Sequence, residues 1–509
     1  MRKLITIISL FVISSAIGWA QCTVSNVTTA TFATTFSSAA GGSTICLKAG
    51  NYGAFSGGSK SSMVTIQPDA ANGGTQANVI FGAVTFGGGT QNVTMKNMTI
   101  AGGTVGTGRG SGPSPALHIH FVQIIFTQGL CINTPTNVNQ DTLVDQSFFG
   151  PDWQGGQSCT EGRLGVDGQD TTHNVVNGVV ISNTLFGGPL SGSNGADGIQ
   201  IEGSAYGTVI GPGNTFQNIQ ESHCGVVHCD SIQFYGAHNT TITGNFFSNV
   251  SDTLMTPDCN GTPFTFTDNV SVMESGSATG DVYVGGGNGD VFNHNTFSTQ
   301  NGGTINFNNN SCGTSSNETI TNNVMPSPYN NPDGSGTGFV VNHNLCQSST
   351  HCGGTGALIG TGTFVGGANP TTYTGFQLTS GSLGHNAASD SLDMGVRFSG
   401  TVQAAQPTCS PVSGTANPTP VTLATTSGSV ICYNFTGSPA TNGSTGCTTG
   451  TKYTGAITIG VNETLSAIAG GTGFTDSTIR SCTYTVTAPG APVLLLGPIT
   501  MNGHVKLFP

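Results

Sequence analysis

Charge is what this chain has least of. Only 7% of its 509 residues are charged, against about 25% in an average globular protein. Eleven Lys and Arg stand against 23 Asp and Glu, and none of the eleven falls between Leu164 and Val396. Such a surface repels nucleic-acid phosphates, so a nucleic-acid partner is excluded. Long apolar runs are also missing beyond the first 20 residues, and no later stretch is long enough to cross a bilayer. Disorder does not fit either. Val, Ile, Leu and Phe recur in short alternating runs, and net charge per residue is small.

Residues 1–20 read as a secretory signal. Arg2 and Lys3 form the basic region, LITIISLFVISSAI (4–17) the apolar core, and Gly18-Trp19-Ala20 the small residues at the cleavage site. The reading predicts a secreted, extracellular or cell-surface protein with no membrane insertion after cleavage. Removal of Arg2 and Lys3 leaves nine basic residues and a net charge of −14. All 14 Cys lie in the mature part, an even number suited to disulfides in an oxidising compartment. Proximity suggests Cys22–Cys46, Cys131–Cys159, Cys224–Cys229, Cys346–Cys352 and Cys432–Cys447, with Cys259–Cys312 and Cys409–Cys482 completing the set. HCGVVHC (223–229) has zinc-ligand types, but secretion favours a disulfide there.

What is abundant is Gly (78 residues), with Ser, Thr and Asn, punctuating many short strands. Three segments repeat: GADGIQIEG (195–203), HCDSIQFYG (228–236) and VSDTLMTPD (250–258). Second elements recur between them, as TVIGPGNTFQNI (208–219), TTITGNFFSNV (240–250) and FTFTDNVSVM (264–273). This is self-similarity at a solenoid period. Stacked coils place Asp197, Asp230 and Asp252 in one column about 4.8 Å apart. Such carboxylates repel by roughly 1 kcal/mol in a water-like medium, and a bound cation, a raised pKa or hydrogen bonds would relieve them. Calcium on the column is the one cofactor the pattern admits.

Paired carboxylates are also what glycosidic hydrolysis uses, so Asp197, Asp230, Asp252 and His228 are candidate catalytic residues. Strand parity puts Asp197 on the same face as Ile199 and Ile201, inward unless the turn at SGSNG (191–195) re-aims it. Gln200, Gln233 and Met255 align on the other face, with Glu202, Tyr235 and Pro257 beside them. Gln200, Glu202, Gln233 and Tyr235 are therefore candidate glycan-binding residues. Asn214, Asn245, Asn269, Asn295 and Asn323 each stand just before a short pair with at least one apolar residue and suit a stacked Asn ladder. His118 and His120 read as core or turn residues, Arg163 as a surface partner of Glu161, and Asp167 and Asp170 as a solvated loop.

The amphipathic stretch TTATFATTFSSAAGG (28–42), the following STICLKAGNY (43–52) and the strand MVTIQ (63–67) resemble the cap and first coil of secreted right-handed parallel β-helix proteins. Pectate lyases, polygalacturonases and alginate lyases belong to that pectin-lyase-like superfamily. GFQLTSGSLGHNAASDSLDMG (375–395) resembles its closing coil. Asp197-Gly198-Ile199 and Asp230-Ser231-Ile232 are similar to the active-site contexts of polygalacturonases. The Gly-His-Gly and Arg-Ile-Lys motifs of those enzymes are absent, and Gly236-Ala237-His238 is the nearest substitute. Lyases of the superfamily use a basic residue, for which only Lys48, Lys60, Lys96, Arg109 and Arg163 precede the repeats. Residues 407–486 resemble the immunoglobulin-like module at the C-terminus of chitobiase-type β-hexosaminidases, on "TGSPAT", "YTGAITI", "ETLSAIA" and "FTDS".

The expected fold is therefore all-β. A signal peptide (1–20) leads a right-handed parallel β-helix (22–400), followed by an immunoglobulin-like sandwich (405–488) and an apolar tail (489–509). Two functions stay open. One is a carbohydrate-active protein that binds and cleaves a polysaccharide or cell-surface glycan, by hydrolysis more readily than by Arg- or Lys-dependent elimination. The other is a non-catalytic adhesion or structural protein.

Overall fold

A solenoid's first coil needs a lid, and this chain folds one from Phe32–Ser38, a short α-helix that buries Phe32 and Phe36. Both rings pack edge-on against Phe55, 5.1 and 5.0 Å away. Orphan carbonyls at a helix C-terminus attract cations. Here the buried Lys60 ammonium supplies one, donating to the carbonyls of Phe36, Ser37 and Ala39. The computed structural model describes residues 21–106, 115–134, 138–150, 162–169, 175–187, 196–224, 229–256, 263–274, 281–298, 303–308, 313–330, 336–397, 402–417, 420–425, 430–442, 446–471 and 474–486.

The architecture is a parallel β-helix. The first wall is a 13-stranded parallel sheet running from Val24–Val27 to Val340–Asn342. The second stacks short strands such as Leu185–Gly187, Thr215–Gln217, Phe246–Val250 and Val270–Met273. The third stacks Leu130–Thr134, Leu164–Gln169, Ile199–Ser204, Asp230–Tyr235, Asp252–Thr256, Val282–Gly285 and Ile305–Asn308. Parallel strands covered on the inside read as apolar at every second position. Accordingly Ile199, Ile232, Leu254, Val282 and Ile305 form one fully buried rung series.

Two columns hold the interior. In the second wall Phe126, Phe149, Phe186, Phe216 and Phe247 stack with centroids 4.5–5.0 Å apart. Between the first and second walls runs the expected Asn ladder. Asn214, Asn245, Asn269, Asn295, Asn323 and Asn344 are buried and joined amide to amide at 3.0–3.2 Å. Each of Asn245, Asn269, Asn295, Asn323 and Asn344 also donates to a carbonyl of the preceding coil. Asn344 extends the ladder one coil past the sequence expectation. Thr184 and Ser147 continue it backwards by accepting the same backbone N–H bonds with hydroxyls.

The chain divides into two compact units, one ending at Arg397 and one beginning at Phe398. Before the division, residues 360–397 run back along the outside of the second wall. Phe376, Leu378, Met394 and Val396 bury outward Val270, Val324 and Leu345. Arg397 locks this strap with a two-pronged contact to Asp268, at 2.9 and 2.8 Å. The second unit is built of small, mostly antiparallel sheets, the largest pairing Val430–Asn434 with Glu463–Gly470 and Glu463–Gly470 with Arg480–Tyr484. They fit an immunoglobulin-like module.

Five expected disulfides are present: Cys22–Cys46, Cys224–Cys229, Cys346–Cys352, Cys409–Cys482 and Cys432–Cys447. The Cys224–Cys229 bond replaces the zinc alternative. Cys131 is disulfide-bonded as well; Cys159, Cys259 and Cys312 lie outside the described residues. So do the signal stretch and the apolar tail. Among the described residues no helix is long and apolar enough to cross a membrane.

Candidate functional site

Register puts the repeated carboxylates above one another. Asp230 pairs with Asp252, and the Asp230 amide donates to Asp197 Oδ1 at 2.8 Å. The column is not a groove, however. Asp197 is 3% exposed, and Asp230 and Asp252 are fully buried. This corrects the expectation of solvent-facing catalytic carboxylates. The next residue in the coil already faces inward, Gly198 against the Phe216 ring and Thr253 against the Ser271 hydroxyl, so simple alternation from Ile199 and Leu254 does not describe this bend. No three His, Cys, Asp or Glu side chains converge as a metal site among the described residues. His228 lies outside the described residues.

Register aligns the residues between the inward positions. Gln200 pairs with Gln233, Gln233 with Met255, Met255 with Tyr283, and Tyr283 with Asn306. Glu202 pairs with Tyr235 beside them. Gln200 and Gln233 are buried and bonded to each other, Nε2 to Oε1 at 2.6 Å. Glu202, Tyr235, Met255, Tyr283 and Asn306 are part-exposed. The reachable strip is therefore an acid, two phenols, a thioether and an amide in one band, and Pro257 lies outside the described residues.

No cation serves this band among the described residues. Arg163, expected at the surface, is 4% exposed and spends its guanidinium on the carbonyls of Gly150, Ala196 and Asp197. It is a clasp between coils. Lys60 caps the helix, and Arg109 is outside the described residues. Asp167 belongs to the strand Leu164–Gln169 and is buried, not in a solvated loop. Asp170 lies outside the described residues. His118 lies in the strand Leu117–Val122 with a positive φ of 55°. It shares the Asp141 carboxylate with His120, at 2.8 and 3.2 Å, and the two rings hold that carboxyl below its usual range despite desolvation.

Sequence reasoning missed three buried acids. Ser271 takes the place of a Phe in the aromatic column, and its hydroxyl donates to Asp281 Oδ1 at 2.7 Å. Asp281 is fully buried, and desolvation raises its pKa to about 7. Further along, Asp290 Oδ1 accepts from the Phe264 amide and Glu318 Oε2 from the Asp290 amide, at 2.9 and 2.8 Å. Burial raises both carboxyls, and the neighbouring Asp290 raises Glu318 further. The signal available was the interrupted Phe spacing at Ser271 and the acid before a strand at both Asp290 and Glu318.

Fold and band together define a parallel β-helix protein with a polar and aromatic outer strip. No family model matches the sequence, and no curated protein does. Among solved structures, two of the PL6-family alginate lyase AlyGC, one a single-residue mutant, are similar to it. Identity is 13% for the mutant and 15% for the other, coverage 77% and 73% of this chain, and TM-score 0.44 and 0.45. The aligned part spans 60% and 58% of those chains.

Proposed function

We propose that this is a secreted glycan-binding β-helix protein that holds a neutral polysaccharide along the third wall. Tyr235 and Tyr283 act as platforms for sugar rings, and Glu202 and Asn306 bond hydroxyls. The observation that carries the reading is the strand register, which sets these part-exposed side chains in two neighbouring rows of one wall, Glu202 with Tyr235 and Met255 with Tyr283 and Asn306. Aromatic faces with a few convergent polar groups are the usual composition of a sugar-binding surface. A uronate chain would need cations, and Leu164 to Val396 contain no Lys or Arg. Export follows from the signal-like residues 1–20 and suits the disulfides. The second unit, residues 405–488, serves as an accessory module of the chitobiase C-terminal type.

Affinity electrophoresis in gels cast with neutral and acidic glycans tests this. Retardation by a neutral glycan is expected, with Tyr235→Ala and Tyr283→Ala each weakening it. Assays for reducing ends and for unsaturated products are expected to stay blank, because the stacked carboxylates are buried. No retardation by any glycan would leave the second reading, a rigid spacer. The continuous Asn column favours that alternative.

A further inference from the structure

The first wall carries a second pattern on its outer surface that the glycan band does not use. Inward Ile210, Ile242, Phe266, Phe292 and Ile320 are fully buried. Their neighbours point outward in two rows. One row is Val209, Thr241, Thr265, Val291, Thr319 and Val340, paired coil to coil without a bulge. Every member is β-branched. The other is Thr243, Thr267, Asn293, Thr321 and Asn342. Both rows are part-exposed, Val340 to 45%. Neither contains a charge.

Strand geometry sets the grid at about 4.8 Å between coils and about 6.7 Å between the rows. Hydroxyls and methyls thus repeat in two dimensions over six coils, with one ion pair, Asp268–Arg397, at the edge where Thr267 donates to Asp268. We infer that this face binds ice. Ice presents a neutral lattice of water oxygens with repeats close to these. Thr and Asn can join that lattice by hydrogen bonds while the methyls exclude unordered water. A charged side chain would hold water in its own geometry and break the match.

Thr and Val also suit exposed strands for their own sake, but the same wall supplies a control. In its earlier coils the first row passes through His120, and the second through Lys96 and Asp145. The wall therefore accepts charge where the grid is absent. The first row carries no titratable side chain from Leu143 onward and the second none from Ser182 onward. A flat row of small side chains offers no concavity for a solute ligand. It is also too hydroxylated for the apolar core of an obligate dimer.

The test uses the full chain in ice-affinity partition and in ice-recrystallisation assays. The wild type is expected to enter ice and arrest recrystallisation. Thr265→Lys/Thr319→Lys is expected to lose both effects, while Thr94→Lys, on the early coils of the same wall, keeps them. Unchanged melting and circular dichroism show that each variant folds. A wild type without effect on ice, or a double variant that partitions like wild type, overturns the inference. So does a concentration-dependent dimer in sedimentation that the double substitution abolishes, since the face would then be an interface between copies.

Discussion

At the residue scale, the buried polar groups set stability, and their contribution depends on whether each is answered. Asn269 donates to Ile242 O and Asn295 Oδ1 and accepts from the Asn245 backbone and side-chain amides. Replacing it with Ala strands those partners inside the coil. Unsatisfied buried groups cost about 1–3 kcal/mol each, so Asn269→Ala is expected to lower β-helix stability by about 3 kcal/mol, read from the urea midpoint at constant slope. Asp281, Asp290 and Glu318 behave differently because all three have raised pKa values. A raised acid favours folding while it stays protonated, and that contribution is lost as pH climbs from the unfolded value through the folded one. The urea midpoint is therefore expected to fall from about pH 5 to pH 9. Glu318→Gln, which cannot ionise, is expected to flatten that fall. An unchanged slope in the variant would show that the pair is not its source.

At the element scale, the strap of residues 360–397 has no regular strand ladder of its own to hold it. It depends on apolar contacts with the second wall and on a polar lock. Arg397 grips Asp268, reaches Asp390 at 3.2 Å, and lies beside the Tyr373 hydroxyl bond to Asp268 O. The Asp268 and Asp390 carboxylates raise the guanidinium above its usual range. Both ends of the main pair keep some solvent contact, 23% and 13%, so the loss on Arg397→Ala falls below that of a fully buried pair, at about 1–3 kcal/mol. Limited proteolysis is expected to cut within residues 360–397 faster in this variant, before the coils open. Equal cutting rates in wild type and variant would mean that the apolar contacts alone retain the strap.

At the scale of the whole molecule, two compact units predict two unfolding transitions in calorimetry. Cys409–Cys482 closes the second unit across a separation of 73 residues. A loop of that length is worth about 4 kcal/mol in chain entropy. Under reductant the transition of the second unit is expected to fall most, because the described bonds Cys22–Cys46, Cys224–Cys229 and Cys346–Cys352 of the first unit span separations of only 24, 5 and 6 residues. One merged transition, or equal losses in both, would contradict this.

Much of this was legible in the residues. The repeats at Asp197, Asp230 and Asp252 dictate stacked coils, because a pattern that cannot bury itself alone must bury against its copy. Asn before each short, partly apolar pair dictates the ladder, since Asn tolerates the turn and bonds upward and downward. Alternation dictates that Gln200, Gln233 and Met255 share a face. What the residues could not decide is which side of a wall meets solvent. Asp197 and Gln200 both look available in one dimension. Only the stacked coils bury both, the first just ahead of its strand and the second against Gln233, leaving Glu202, Tyr235 and Tyr283 part-exposed. Solvent exposure is a property of three-dimensional packing, and spacing along a chain carries no record of what covers it.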